Sequence, residues 1–466
     1  MQVKLRLTGA QFREFREHLF PGDGLEAVAV ALCGRRAGSD VHSLMVHKLV
    51  PIPYEECTRT LDRVVWSTKR LVPLLTEAMR RDMAILRIHS HPGGYACFSS
   101  IDDESDADLF SSVFGWTDAE GPHASAIMLP DGRIFGRALF RDFRSPLSSV
   151  AVIGDDLRFW FATGEGDDDL PGFTRRHAQA FGAGTTKLLR RLTVGVVGCS
   201  GTGSVVIEQL ARLGIGRLVL VDPDHVEDKN RNRILNAGAA DAYLKAPKVH
   251  VAARAIARMG FGTEVSVFAQ NLFSSEAVKA VAECDVVFGC VDGAEGRHLL
   301  GRLATYYCIP YFDVGVLLEA DGKGGVDEIA GAVHYLKPGG STLLERGAYT
   351  MGQVEAEGLR RMAPEEYRER VEAGYIRGVR EDRPAVISVN MFFASRLVLE
   401  FLARLHSFRY DHNREFAAVY TSLAKNITLN SGEASGACNS AFSKYLGRGD
   451  ALPLLDMPAL STSNAG

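Results

Sequence analysis

Nowhere in the 466 residues is there a run of about 18 apolar residues, so no helical membrane span is expected. The opening residues, Met1 to Leu7, lack the apolar core and small-residue cleavage site of a secretory signal, which makes a cytoplasmic protein the expectation. The eight cysteines are scattered without one Cys-x-x-Cys pair and read as reduced thiols, not as a disulfide framework. Charge of neither sign predominates: a formal net charge of −4 gives no reason to expect nucleic acid as the principal partner. What remains is an ordinary globular composition, 46% hydrophobic and 24% charged, at a length that predicts two or three domains.

The chain is organised around residues 192–233. Residues 193–197 are a short β-branched run that reads as a buried parallel strand. Glycines 198, 201 and 203 follow, then a helical pattern through Val205, Val206, Ile207, Leu210 and Leu213 that closes at Gly214 and Gly216. A second apolar strand, 218–221, ends on Asp222. Such a strand–loop–helix–strand unit sets backbone N–H groups and a helix N-terminus where a nucleotide phosphate can sit, and Asp222 where it can accept from a ribose. Asn230, Arg233 and Lys248 then add an amide and two cations, more than a dinucleotide reader needs. A triphosphate attacked at its α-phosphate needs such charge. A further strand, 285–291, delivers Asp292 at the carboxyl edge of an open sheet, where it could hold magnesium across the phosphates.

In order, Gly198 to Gly203, Asp222, Asn230 with Arg233, Pro247-Lys248-Val249, and Asp292 with Arg297 resemble the adenylation domain of the ubiquitin-activating-enzyme superfamily, which includes the ThiF and MoeB proteins. The resemblance covers about residues 175–420. It implies a Rossmann-like α/β domain, ATP and Mg²⁺ as cofactors, and a ubiquitin-like or sulfur-carrier protein ending in glycine as partner. It also implies a homodimer, with a conjugating enzyme as a further candidate partner. Cofactor-binding roles then fall to Gly198, Gly201, Gly203, Asp222, Asn230, Arg233, Lys248 and Asp292, and Arg233, Lys248 and Asp292 are also catalytic. The sequence departs from the family at Ser200, which stands in place of the middle glycine. Another departure is Ala178, where an arginine before Gln179 is expected to cross to the partner subunit; Arg175 or Arg176 is the nearest substitute.

The first third reads differently. Residues 25–33 form an apolar run carrying one acid, Glu26; 41–52 read as a strand, 71–82 as a helix, and 84–88 as a short strand leading into His89 and His91. Histidines at i and i+2 of an extended segment point to one side. With Asp102 they form a three-ligand metal set that leaves a fourth zinc position for water. Glu26 is then the base for that water and Ser99 a donor to the oxyanion. The pattern resembles the JAB, or JAMM, metallo-isopeptidases over about residues 1–145, an α+β domain of MPN type. It implies Zn²⁺ on His89, His91 and Asp102. The helix expected from Ile101 carries further acids, Asp103, Glu104, Asp106 and Asp108, which read as solvated.

The expected organisation is therefore a JAB-type domain over 1–145, a connection over 146–174, an adenylation domain over 175–420 and an extension over 421–466. A charged helical segment, 355–374, lies where the family has its crossover, and 386–405 reads as an apolar helix for the core or a dimer. Related proteins clip a structural zinc with two cysteines after a Pro-Gly turn and others near the C-terminus; residues 338–345 hold none and only Cys438 remains for the other half, so that zinc is expected to be lost. No cysteine occurs in 340–380, and Cys199, Cys284, Cys290 and Cys308 sit by apolar strands, which leaves Cys438, in a small polar stretch, as the candidate for a thioester. The functional expectation is a bifunctional enzyme that cleaves after the terminal glycine of a ubiquitin-like protein and adenylates that glycine. The alternatives are an adenylation fold that only presents such a protein to the isopeptidase and, ranked last, a nicotinamide-dependent oxidoreductase.

Overall fold

Residues 28–33 show how the first unit is built. Val28, Val30 and Leu32 turn to one face and Ala29, Ala31 and Cys33 to the other, and all six are fully buried. A strand covered on both faces must be apolar throughout, which is why this segment has no polar alternation. The larger side chains meet Leu74, Leu75, Phe110, Val113 and Phe114 from the helices Val72–Arg81 and Ser100–Thr117. The alanines leave room for Phe12, Phe15 and Leu19 of the helix Gly9–Leu19 on the opposite face. Each buried Val or Leu contributes about 2 kcal/mol by removal from water.

The computed structural model describes residues 1–162, 170–376, 384–433 and 442–460. Contacts divide the chain into two units: Met1–Gly166 with Thr305–Cys308 and Lys444–Pro458, and the remainder. The first unit is a mixed nine-stranded sheet. In it Val28–Ala37 runs antiparallel to Val41–Pro51 and to Ala84–Ser90, and Ala84–Ser90 runs parallel to His123–Met128. The register sets Val28 opposite His89, so the residues just before Val28 lie beside the end of the histidine strand. The connection expected over 146–174 is shorter than read: Ser149–Ile153 pairs in parallel with Gln2–Thr8 and antiparallel with Leu157–Phe161, which extends the first sheet. The rest of that stretch, residues 163–169, lies outside the described residues.

The second unit holds an eight-stranded sheet. Glu264–Phe268, Arg217–Val221, Thr193–Val197, Val286–Gly289 and Tyr311–Ala320 lie side by side in that order and parallel. Thr193–Val197 comes first in the chain yet lies inside the sheet, so the order reverses between it and Val286–Gly289. That is the switch point at which open α/β sheets part to admit a ligand. Val326–Leu336, Ala418–Ser422 and Ile427–Ser431 continue the sheet antiparallel, which carries it beyond the boundary at 420. The helix Ile387–Leu405 buries Phe393, Leu397 and Phe401 in the core and leaves Met391, Phe392 and Leu399 exposed. The charged segment around 355–374 forms two helices, Met351–Met362 and Pro364–Glu372.

Candidate functional site

In the first unit, strand geometry delivers both imidazoles to one point. His89 is the last residue but one of the buried strand Ala84–Ser90, His91 follows that strand, and their Nε2 atoms stand 3.2 Å apart. Asp102 arrives from the first turn of the helix Ser100–Thr117, its Oδ1 2.9 Å from His89 Nε2 and its Oδ2 3.6 Å from His91 Nε2. Glu26 Oε1 lies 3.7 Å from His91 Nε2. Its backbone is fixed on both sides, since Glu26 N donates to Thr60 O at 2.9 Å and Arg59 Nε donates to Glu26 O at 2.7 Å. All four side chains are buried.

Electrostatics follow from that burial. Removal from water pushes the Glu26 carboxyl up to about 7, a value suited to taking and returning a proton. Burial, reinforced by Arg87, lowers His89 to about 4, so its imidazole is neutral near pH 7. Burial opposes the His91 cation too, but Asp102, the Tyr95 carbonyl and Glu26 outweigh it and raise His91. Asp102 is also buried, yet the hydrogen bonds from His89 and His91 hold it well below the usual carboxylate range.

The donor set fits a zinc ion. Two nitrogens bound to one zinc at about 2.0–2.1 Å in tetrahedral geometry stand about 3.3 Å apart, close to the 3.2 Å found. His91 Nδ1 lies 2.7 Å from Tyr95 O, which fixes the tautomer and leaves the Nε2 lone pair for the metal. Glu26, His89 and His91 together also form a triad close enough to share an ion. Ser99 has a structural role beyond the hydroxyl donor read from the sequence. Its Oγ accepts from Asp102 N at 3.2 Å and donates to Asp102 Oδ2 at 2.7 Å, so it caps the helix and orients the carboxylate. Asp106 departs from its reading as a solvated acid: it is buried and takes hydrogen bonds from Arg87 and Arg137.

In the second unit, Gly198 ends the central strand at φ +91, a left-handed conformation, and a Cβ there would lie 2.4 Å from Cys290 O. Gly203 has no room for a side chain either, since a Cβ would lie 1.8 Å from Gly198 O. Gly201 opens the helix Gly201–Leu213, with Ser200 at its N-cap and no side-chain cap bond there. Asn390 lies against Gly201 and its amide oxygen can take the Thr202 N–H at 3.3 Å, and the other N–H groups of such a terminus suit an anion. Asp222 is buried, and its carboxylate accepts from Cys199 N at 2.6 Å and Asp224 N at 2.8 Å. Burial raises this carboxyl, with Lys248 opposing the shift. Lys248, also buried, donates from Nζ to Asp224 Oδ2 at 2.8 Å. Asn230 accepts from Glu227 N at 3.2 Å, and Arg233 donates to Lys229 O at 2.9 Å. Asp292 is exposed just past the strand Val286–Gly289. Arg297 is held by Asp313, 3.3 Å from its Nε, and by Val314 O, 3.1 Å from Nη2. Asp224 and Asp313 were not read from the sequence. Arg175 and Arg176 are exposed on the first turn of the helix Arg175–Arg191.

Cys199, Cys284, Cys290 and Cys308 are buried, and burial pushes the Cys308 thiol up to about 12. Among the described residues Cys97 is exposed, while Cys438 lies outside them.

Comparison with known proteins bears on both units. Residues 174–437 match the ThiF family, and residues 9–129 match prokaryotic homologues of the JAB domain. A ubiquitin-like modifier-activating enzyme 5 of Drosophila persimilis is 29% identical over 167 residues, 32% of this chain and 40% of that protein. The adenylyltransferase and sulfurtransferase MOCS3 of Bos taurus is 40% identical over 105 residues, 22% of this chain and 23% of that protein. The chain thus spans less than half the length of these relatives. Among solved structures, E. coli MccB with ATP superimposes at a TM-score of 0.44 and 17% identity, covering 59% of this chain and 75% of that one.

Proposed function

The chain belongs to the ThiF family through residues 174–437, more than half its length, with a JAB-type domain ahead of them, and on this footing we propose that it acts twice on the glycine terminus of one ubiquitin-like or sulfur-carrier protein. The second unit adenylates that terminus. A carboxylate oxygen of the glycine attacks the α-phosphorus of ATP, the bond to the bridging oxygen breaks, and pyrophosphate leaves with the electron pair. The observation that carries this reading is the reversal of strand order between Thr193–Val197 and Val286–Gly289. Gly198 packs against the Cys290 carbonyl there, with Asp222 and Lys248 at one side and Asp292 at the other. In the proposed pose Asp222 takes the ribose, the N-terminus at Gly201 takes phosphate, and Lys248 and Arg233 offset the charge that develops on the phosphates. Asp292 would hold magnesium, whose charge screens the phosphates.

The first unit cleaves the peptide or isopeptide bond after the same glycine. A zinc ion on His89, His91 and Asp102 would supply a Lewis acid and a water of lowered pKa. Glu26 takes a proton from the attacking water and hands it to the departing amine as the C–N bond breaks, a task suited to its raised carboxyl. Asp102 is held in place by Ser99.

ATP–pyrophosphate exchange that depends on a carrier protein ending in glycine tests the adenylation. Exchange absent with every such carrier would sink it. That result would favour the second reading, a fold that only presents its partner, to which Ser200 and the engagement of Lys248 by Asp224 lend support. If a thioester follows, Cys438 is its site, and a reductant-sensitive adduct that survives Cys438→Ala would remove that assignment.

A further inference from the structure

Asp106 sits one helical turn beyond Asp102 and is 1% exposed, a burial that an unpaired carboxylate would not tolerate. Two guanidinium groups compensate it. Arg87 Nη1 donates to Asp106 Oδ1 at 2.7 Å, and Arg137 donates to Asp106 Oδ2 through Nε at 2.9 Å and Nη2 at 2.6 Å. Arg137 is further fixed by Asp103, by Asp102 O at 3.1 Å, and by the Phe98 ring under its guanidinium.

Arg87 has fewer anchors. Its side chain is 3% exposed, its Nε makes no hydrogen bond, and its other carboxylate is Asp102, with Nη2 4.0 Å from Asp102 Oδ1. That oxygen is the one nearest His89 Nε2, at 2.9 Å. A buried cation two residues before one ligand therefore stands within an ångström or so of direct pairing with another.

We propose that Asp106 is a positioning residue that holds Arg87 off Asp102, so that the Asp102 carboxylate stays free to bind the metal. The inference rests on the reading of His89, His91 and Asp102 as the metal site. Without the Asp106 charge, Arg87 turns to the nearest carboxylate, and its ion pair with Asp102 competes directly with the metal. Arg137 does not follow, since Asp103 and the Asp102 carbonyl still hold it.

Zinc alone, titrated into the full chain against a competing chelator, provides the test. Asp106→Asn is expected to lower zinc affinity about 10- to 100-fold, the usual range for outer partners of metal ligands. Arg87→Met added to Asp106→Asn removes the competing cation and should restore affinity to within about threefold of the parent. A role in folding alone would also be relieved by Arg87→Met, which removes the unpaired buried cation. The unfolding transition of the metal-free chains tells the two apart, because the proposal expects Asp106→Asn to lose affinity at a near-parental transition, whereas a folding role expects affinity and transition to fall together. Parental affinity in Asp106→Asn would overturn the proposal. So would a folded double variant that binds as weakly as the single one. A parent chain that binds no zinc would instead overturn the metal-site reading beneath it.

Discussion

The two sites assemble their charged groups in opposite ways. In the first unit the groups touch one another: the two imidazoles are 3.2 Å apart, Asp102 reaches both, and Glu26 faces His91. In the second unit the cations are bound to partners of their own. Lys248 is held by Asp224, Arg233 by a backbone carbonyl and Arg297 by Asp313. The ligands proposed for the two sites explain the difference. A metal ion is a single point, so its donors must converge before it arrives, and burial there is compensated by mutual hydrogen bonds. A nucleotide is extended, and its phosphates bring enough charge to displace resident carboxylates. Cations that would repel one another can therefore be kept paired until it binds.

That contrast predicts separable losses. The largest is expected from Glu26→Gln, which removes only the base: cleavage should fall about 10²- to 10⁴-fold while zinc content and pyrophosphate exchange stay at the parental level. Elemental analysis beside both activity assays checks this, and loss of zinc in the variant would make Glu26 a ligand instead. Next comes Lys248→Met, expected to slow exchange about 10²- to 10³-fold by analogy with the loss of one charge-stabilising donor, with cleavage and zinc untouched. Parental exchange in that variant would show that Lys248 serves only to neutralise Asp224.

A smaller effect tests the backbone that frames the proposed nucleotide site. Gly203→Ala sets a methyl where Gly198 O stands, 1.8 Å away, with no flexible side chain to yield. Overpacking of this kind costs about 1–3 kcal/mol. The cost should appear as a lowered unfolding transition, read by calorimetry, that nucleotide reverses only in part. No such crowding surrounds Gly184, where an added Cβ would meet no neighbour within 4 Å, so Gly184→Ala is the control.

How much of this was legible in the sequence follows from the same contrast. The two imidazoles proposed as metal donors are encoded locally, so His89 and His91 can be read from spacing alone, and the glycine turn at 198–203 likewise. Groups defined by distant partners cannot. Asp106 looks like any acid in a helix; its burial depends on Arg87 and Arg137, 19 and 31 residues away. Asp313 is invisible without Arg297 from the preceding helix. Ser99 reads as a hydroxyl donor, while its position at the start of a helix, with Asp102 three residues on, also spells a cap. Two strands escape such a reading for other reasons. Leu157–Phe161 is bounded by glycine- and aspartate-rich residues, which suggest a connection, and Glu264–Phe268 is a five-residue edge strand whose alternation, Val265 and Val267 beside polar residues, is too short to stand out.

The smallest predicted effect bears most directly on the comparison, because it concerns Asp224, the residue that keeps Lys248 occupied. Lys248 is buried, with its ammonium 2.8 Å from Asp224 Oδ2 and the Asp222 carboxylate near enough to feel its charge. If phosphate must displace Asp224, then Asp224→Asn removes a competitor without leaving Lys248 unpaired, since Asp222 remains and an amide oxygen can still accept one hydrogen bond. The same ammonium then donates to a neutral oxygen instead of a carboxylate, and the loss is about 1 kcal/mol because Asp224 is two-thirds exposed and screened by solvent. The expected outcome is a fall in KM for ATP of about threefold to tenfold, with kcat unchanged, since a difference of about 1.4 kcal/mol is tenfold. A fall in kcat at constant KM would mean that Asp224 aims Lys248 at the α-phosphate, so that this part of the second site is as fully assembled before its ligand arrives as the first.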